Sequence, residues 1–276
     1  MIGNRLQNRK KISPYLEQVR MEKVRNDKAM APILETERIT KAFGNMFAVN
    51  RFDLYVEQGE LKSIIGPNGA GKTTLFNLIS GKIRPTMGRV KFKGEDITNL
   101  PPNAIARKGL ARSFQITNIF PNLTVFENVR LAVQQKDRKR SSFFTPASSL
   151  SETNSKTKEI LSQIGLIEHQ DSLARNLSYG DQRHLEIGIT LAMEPDLLML
   201  DEPTSGMSSL ETQATVRLID KLAQGLTILL IEHKMDVVMS VSDSVMVMHY
   251  GQKIAEGTPQ EVEKDPHVRE AYLGGL

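Results

Sequence analysis

The length, composition and charge of the chain limit what kind of protein it can be. With 276 residues, of which 39% are hydrophobic and 25% are charged, it has the balance of a folded protein with its own core. The absence of cysteine excludes disulfides, thiolate metal sites and a cysteine nucleophile. No apolar run approaches the roughly 18 residues of a membrane span, and the amino end lacks the apolar core of a secretory signal, so we expect a chain that stays in the cytosol.

The basic charge of the chain lies in its amino-terminal segment. Residues 1–32 contain 8 basic and 3 acidic side chains, a net charge of +5, whereas residues 33–276 carry −1. Proteins that bind nucleic acid usually carry their basic excess on the folded body, so a nucleic-acid partner is not expected. The segment could begin a helix, with Ser13 as N-cap and Pro14 in the first turn. Three interpretations stay open: a solvated extension, a basic helix that contacts a membrane or a partner, and a translation start at Met30.

A glycine-rich turn follows the first predicted strands. From residue 33 to residue 65 the chain has short alternating or apolar runs that are typical of β-strands. The sequence GPNGAGKTT at 66–74 comes next, and it leads into an apolar pattern of helical spacing that stops at Gly81. A strand, a glycine loop and a helix form the context of a phosphate-binding loop, where backbone N–H groups and the helix dipole hold phosphate oxygens.

The residues of this loop have separate expected roles. Glycine is needed at Gly66 and Gly71 because a β-carbon would obstruct the approach of phosphate to the backbone. Lys72 would reach the β and γ phosphates, and the hydroxyl of Thr73 would ligate Mg²⁺. We therefore predict a nucleotide-binding loop made of Gly66, Pro67, Asn68, Gly69, Ala70, Gly71, Lys72, Thr73 and Thr74.

The second half of the chain contains an interruption and then three apolar runs. Residues 136–158 are rich in serine, lysine and arginine and separate two helical patterns, so we predict an exposed surface loop there. Beyond them, LLMLDEP, LTILLIEH and SVMVMHYG are short apolar runs separated by helical stretches. This arrangement is typical of the strands of a buried parallel sheet.

Titratable side chains at the ends of two of these runs are candidates for the chemistry. Asp201 and Glu202 end one apolar strand, and His233 ends the next. Parallel α/β sheets bind their ligands at this carboxyl edge, and an ordinary helix cap would not explain two adjacent acids there. We expect Asp201 to anchor Mg²⁺ through water, Glu202 to be the base that orients the attacking water, and His233 to contact the γ-phosphate.

The stretch LSYGDQRHLEI at 177–187, shortly before the strand with Asp201, completes a set of motifs that resembles the ATP-binding cassette ATPases. The resemblance runs from about residue 33 to the end of the chain, which would make residues 1–32 an extension and residues 33–276 the cassette. It implies an α/β P-loop NTPase with a RecA-like core, a helical signature subdomain and an antiparallel β edge. It also implies that the chain binds ATP with Mg²⁺ and hydrolyses it.

The signature stretch is expected to act on a second cassette. The resemblance implies that Ser178 and Gly180 close on ATP held by the partner subunit, and Ser178 with Asp181 resembles a capping box at a helix start, which suits a phosphate site. Three positions depart from the common pattern. Tyr179 stands in place of glycine, Asp181 in place of glutamine, and Ser208 in place of an aspartate that couples the two sites. These differences put in doubt how the two sites communicate. They do not put hydrolysis in doubt, because they leave the predicted catalytic residues unchanged.

Two further roles come from the resemblance. Gln115, in SFQITNIFPNLTVFENV, resembles the Q-loop glutamine that senses Mg²⁺ and couples to the membrane subunit. Phe43 resembles the aromatic side chain that stacks on adenine. Phe47 is a competitor for that role, and either side chain could instead belong to the core.

Within the family, LSYGDQR, the segment around Gln115, the insert at 136–158 and the AYLGGL ending resemble uptake systems for branched-chain and other hydrophobic amino acids, or for urea and small amides. The resemblance implies a second ATPase subunit, two membrane permeases, an extracytoplasmic solute-binding protein and a place on the cytoplasmic face of the membrane. An export ATPase for lipids or glycolipids, a non-transport cassette protein and a nucleotide-sensing module remain alternatives.

Overall fold

Two β-sheets that differ in strand direction organise the fold. This computed structural model describes residues 31–113, 119–136 and 147–273. The described residues from Pro32 onward form one compact unit. The predicted extension therefore lies almost entirely outside the described residues.

The smaller sheet is antiparallel, with strand order β2-β1-β4-β5. Its apolar side chains alternate with polar ones, and Ile39, Phe52 and Leu54 are fully or almost fully buried. Alternation of this kind gives a sheet one face that packs on the core and one that meets solvent. The predicted antiparallel β edge is confirmed. Its strands are β1 (Leu34–Phe43), β2 (Met46–Val56), β4 (Met87–Phe92) and β5 (Glu95–Asp96).

The larger sheet has the order β10-β9-β3-β8-β7-β6 and is parallel except for its edge strand β10. Every residue of β3, β7 and β8 is buried. Strands covered on both faces favour near-continuous apolar sequences, which is the pattern of the predicted runs that form β7 and β8, whereas β3 also buries Lys62 and Ser63. The strands are β3 (Leu61–Ile65), β6 (Leu110–Arg112), β7 (Leu197–Asp201), β8 (Thr227–Ile231), β9 (Ser244–His249) and β10 (Gln252–Gly257).

Helices cover the two faces of the parallel sheet, and successive residues of one strand pack on opposite sides. Leu197 and Met199 join a core cluster that includes the antiparallel sheet and α1. Leu198 and Leu200 join a second cluster, built with the helical region. The helices are α1 (Lys72–Ile79), α2 (Pro102–Arg107), α3 (Val125–Lys136), α4 (Ala147–Gln163), α5 (Tyr179–Leu191), α6 (Ser209–Ala223), α7 (Met235–Val241), α8 (Pro259–Lys264) and α9 (Pro266–Leu273). Within the described ranges, no helix combines the length and apolar character needed to cross a membrane.

The predicted surface loop at 136–158 is wrong in its second half. Helix α4 begins at Ala147 and continues to Gln163. Thr157 is fully buried, and its hydroxyl donates to the carbonyl of Thr153 at 2.7 Å. The serine- and threonine-rich composition hid the helix because a threonine hydroxyl can bond within its own helix and then pack as a small apolar group. Residues 137–146 lie outside the described part of the chain.

Candidate nucleotide-binding site

The glycine loop connects β3 to α1, as the sequence predicts. Gly71 precedes the first helical residue in a left-handed conformation, with φ of 103°. A β-carbon there would lie 2.1 Å from the carbonyl oxygen of Ala48, so this position requires glycine. Asn68, Gly69 and Thr73 are exposed along the loop and at the start of the helix. The loop therefore presents backbone N–H groups and a hydroxyl to solvent at a helix amino end, which suits phosphate.

Lys72 lies across this loop. Its ammonium donates to the carbonyl oxygens of Gly66 at 2.6 Å and Pro67 at 3.0 Å. Burial lowers the pKa of Lys72, and the nearby carboxylates of Glu202 and Asp201 partly oppose that shift. The predicted phosphate-binding lysine therefore lies close enough to Asp201 and Glu202 to interact with their charges.

Asp201 is the last residue of β7, and only one of its two carboxylate oxygens has a hydrogen-bond partner among the described residues. Its Oδ2 accepts from Arg112 Nη2 at 2.7 Å. Its Oδ1 is buried and has no hydrogen-bond partner among the described residues. A buried carboxylate oxygen without a donor suits a metal ion or a water bound to one, and the exposed hydroxyl of Thr73 suits the same ion. The residues present thus fit the Mg²⁺ that a nucleotide would bring with it.

A metal site made by protein alone is not seen in the described ranges, where no three His, Cys, Asp or Glu side chains are grouped to hold an ion. Mg²⁺ usually binds through one or two protein oxygens together with substrate phosphates.

Glu202 and His233 meet at the carboxyl ends of neighbouring strands. Strands β7 and β8 pair in parallel, with Asp201 opposite Ile231, and the N–H of Glu202 donates to the Ile231 carbonyl at 2.9 Å. Nδ1 of His233 lies 3.9 Å from Oε2 of Glu202. Glu202 has a positive φ of 46°, a conformation that is uncommon outside glycine and that recurs at functional sites. The prediction that His233 follows a strand beside that of Glu202 is confirmed.

Glu232 is a site residue that the sequence analysis missed. Its carboxylate is fully buried and accepts from the backbone N–H of Thr204 at 3.2 Å, of His233 at 2.8 Å and of Lys234 at 3.2 Å. It also accepts a short hydrogen bond from the Thr204 hydroxyl. A buried carboxylate with this many donors fixes the loop that carries His233. The one feature of the sequence that could have indicated it is its position, because Glu232 is a charged residue between an apolar strand and a histidine.

Two arginines were also missed. Arg183, on α5, donates to the carbonyl of Asp201 at 3.3 Å and forms a buried ion pair with Glu186 at 2.7 Å. Arg112 pairs with Asp201 as described and also donates to Asn77 Oδ1 at 2.7 Å. Both side chains support the strand end with the predicted catalytic acids. Nothing in the local sequence of either arginine indicates its partner.

The signature stretch starts a helix, as predicted. Ser178 is the N-cap of α5, and its hydroxyl oxygen accepts from the N–H of Asp181 at 3.1 Å. Ser208, which stands where the family pattern has an aspartate, is the N-cap of α6 and forms a capping box with Glu211. Ser178 and Tyr179 are exposed while Gly180 is buried. The amino end of a 13-residue helix therefore faces outward at the signature.

Comparison with known proteins identifies the family. The family model described as ABC transporter matches residues 49–205, more than half of the chain. The chain is an ATP-binding cassette of the ABC transporter family. The match spans the phosphate loop, the signature and both acids at 201 and 202. A second family model, described as branched-chain amino acid ATP-binding cassette transporter, matches residues 252–275.

Relatives of the cassette agree with both matches. It is 42% identical over 252 residues to the high-affinity branched-chain amino acid transport ATP-binding protein BraF of Pseudomonas aeruginosa, covering 88% of this chain and 98% of that protein. The crystal structure of the ADP conformation of MJ1267, an ATP-binding cassette of an ABC transporter, aligns with a TM-score of 0.77 and 34% identity, covering 89% of this chain and all of the other. The dimeric structure of MJ0796, a bacterial ABC transporter cassette, aligns with a TM-score of 0.70 and 25% identity over 82% of this chain and 98% of that one.

The predicted roles of the site residues, those of Phe43 and Gln115 included, stay predictions. Phe43 and Phe47 flank the turn between β1 and β2, and their exposed fractions, 52% and 51%, do not separate them as the stacking partner of adenine. Gln115 lies outside the described residues.

Proposed function

We propose that this cassette hydrolyses ATP to power the uptake of branched-chain or other hydrophobic amino acids. The observation that carries the catalytic half of the proposal is the arrangement of Glu202 and His233 at the ends of paired strands beside Lys72. The match of residues 252–275 to the branched-chain family model supports import over the export and non-transport alternatives. The BraF relative, a branched-chain amino acid transport ATP-binding protein, supports the same class of solute.

The nucleotide would be held mainly by its phosphates. The backbone N–H groups of the glycine loop and the ammonium of Lys72 would bind the β and γ phosphates. Thr73, Asp201 and Gln115 would hold Mg²⁺, whose chemistry is to neutralise charge on the phosphate oxygens. Phe43 would stack on the adenine ring.

Glu202 is suited to the role of general base. Its carboxylate is a quarter exposed, so it can reach a water molecule, and its backbone is fixed by the bond to Ile231. It would orient and deprotonate the water that attacks the γ-phosphorus. His233, held in place through Glu232, would hydrogen-bond to a γ-phosphate oxygen, where negative charge is held in the transition state.

A second cassette would complete each site. Ser178 and Gly180 lie at a helix amino end, and we propose that they bind the γ-phosphate of ATP held by the facing subunit. The dimeric structure of MJ0796 supports pairing of this fold. Closure of the pair would drive two membrane permeases fed by an extracytoplasmic binding protein, with the cassette as a peripheral subunit on the cytoplasmic face of the membrane.

The first experiment measures uptake in cells whose only copy carries Glu202→Gln. The labelled solutes are leucine, isoleucine, urea and an aromatic amino acid, and the matched control is Glu263→Gln, a change at an exposed carboxylate. We expect selective loss of leucine and isoleucine uptake in the Glu202 variant alone. Normal uptake of all four solutes by a variant that is expressed and membrane-bound would refute the import role and favour the export alternative.

A further inference from the structure

The two signature groups proposed to bind phosphate already have carboxylate partners within their own chain. The hydroxyl of Ser178 donates to Asp181 Oδ2 at 2.9 Å. The backbone N–H of Gly180 donates to Glu211 Oε1 at 3.0 Å. Both donors are therefore occupied by anions at the place where the phosphate of the facing subunit would arrive.

Glu211 is held in this position from the other side. Its Oε2 accepts from the N–H of Ser208 at 3.0 Å and from the Ser208 hydroxyl at 2.7 Å, which completes the cap of α6. These bonds, led by the one from the Ser208 side chain, lower the pKa of Glu211, and the N–H of Gly180 adds to the effect. The side chain is therefore an anion at neutral pH.

The two helices lie so close at Gly180 that a larger residue there would require the Glu211 side chain to shift. A β-carbon on Gly180 would lie 2.9 Å from Cγ of Glu211. The carboxylate thus reaches the first turn of α5, where the helix dipole and unpaired N–H groups favour negative charge. The features that attract Glu211 are the same features that attract a phosphate.

We propose that Asp181 and Glu211 are intrachain stand-ins for the phosphate of the facing subunit, and that ATP must displace them before the two cassettes close. The inference rests on the proposed role of Ser178 and Gly180 across the dimer. It gives Asp181, which replaces the common glutamine, a role of its own. The proposal also connects the signature helix α5 to α6. The Glu211 carboxylate that would leave Gly180 is the same one that forms the capping box with Ser208 at the start of α6.

The test measures ATP-driven association of two copies of the full chain in the Glu202→Gln background, by analytical ultracentrifugation. Adding Glu211→Gln or Asp181→Asn should lower the ATP concentration for half-maximal association by about five- to tenfold, because each change removes an anion that competes with phosphate. Asp220→Asn, at an exposed carboxylate on α6, is the matched control and should leave the midpoint unchanged. ATP affinity at protein concentrations too low for association should be the same in all variants.

One more variant separates this inference from the function on which it rests. Ser178→Arg should abolish association. If it does, and the Glu211 and Asp181 variants keep the parent midpoint or need more ATP, the stand-in role is refuted and the two-cassette function stands. If the parent stays monomeric with Mg·ATP, or if Ser178→Arg associates normally, the two-cassette function fails and the stand-in role fails with it.

Discussion

Arg112 and Asp201 form a buried ion pair beside the phosphate loop, with 2.7 Å between Nη2 and Oδ2 and exposed side-chain fractions of 8% and 1%. The same guanidinium donates to Asn77 and to the Ser80 hydroxyl, and it lies 5.5 Å from the centre of the Phe76 ring. One side chain therefore joins β6, α1 and β7. It also occupies one oxygen of Asp201, and the other oxygen is the one proposed to hold Mg²⁺.

Replacing Arg112 with methionine should destabilise the nucleotide-free chain by about 3 kcal/mol, since removal of one partner leaves a buried carboxylate uncompensated. Urea unfolding measures the change. Arg107→Met, at an exposed arginine on α2, is the matched control and should stay within about 0.5 kcal/mol of the parent. Adding Asp201→Asn to Arg112→Met should recover part of the loss. Equal stability of the Arg112 and Arg107 variants would contradict the pairing.

The sequence predicts the fold and the phosphate loop because local rules govern both. The runs that form β7 and β8 are buried on both faces, so their apolar character is nearly continuous and can be recognised in the sequence. Gly71 is required by its own backbone conformation, and a glycine requirement of that kind appears directly in the sequence.

The supporting residues could not be predicted because their partners are remote in the chain. Arg112 pairs with a carboxylate 89 residues away, and Glu232 accepts from Thr204, 28 residues away. The contact of Gly180 with Glu211 spans 31 residues. Tertiary packing selects these pairs, and neither periodicity nor composition reports it. Helix α4 was missed for a local reason, since threonines replace apolar residues on part of its buried face.

Lys72 should contribute directly to nucleotide affinity. Within the part of the chain that the structure describes, its ammonium donates to the carbonyl oxygens of Gly66 and Pro67, so phosphate offers it a stronger, charged partner. Lys72→Met should weaken ATP binding by roughly tenfold to a hundredfold, measured by calorimetry. Lys82→Met, at an exposed lysine shortly after α1, is the control. Unchanged ATP affinity in the Lys72 variant would remove this residue from the cradle.

Glu232→Gln should lower both stability and ATP turnover although Glu232 is not proposed to touch the nucleotide. An amide has one acceptor oxygen and one donor group, so it cannot accept from Thr204, His233 and Lys234 together. We expect a loss of about 2–4 kcal/mol in the free energy of unfolding, because buried donors lose a charged acceptor. Turnover should fall as the loop of His233 loosens, while ATP affinity changes little. A variant with parental stability and turnover would show that the carboxylate charge is not needed.

His184 should make the stability of the signature helix depend on pH. It is buried on α5, and its Nε2 forms a hydrogen bond of 3.0 Å with Thr215 Oγ1. Burial lowers the pKa of His184, and the carboxylates of Asp181 and Glu211 oppose the shift only in part. The folded chain therefore resists protonation of this imidazole more than the unfolded chain does.

The direction of the effect follows from proton linkage. Above the unfolded-state pKa of about 6.5, the imidazole is neutral in both states and does not change the free energy of unfolding. As the pH falls below that value, the unfolded state binds the proton first. The free energy of unfolding therefore declines until the pH reaches the pKa of the folded state. The slope from this single group is at most about 1.4 kcal/mol per pH unit. Urea unfolding at pH 7.5 and pH 5.5 should show a smaller loss for His184→Gln than for the parent, whereas His169→Gln, at an exposed histidine, should match the parent. Equal losses in all three proteins would mean that His184 is not the group that makes stability fall at low pH.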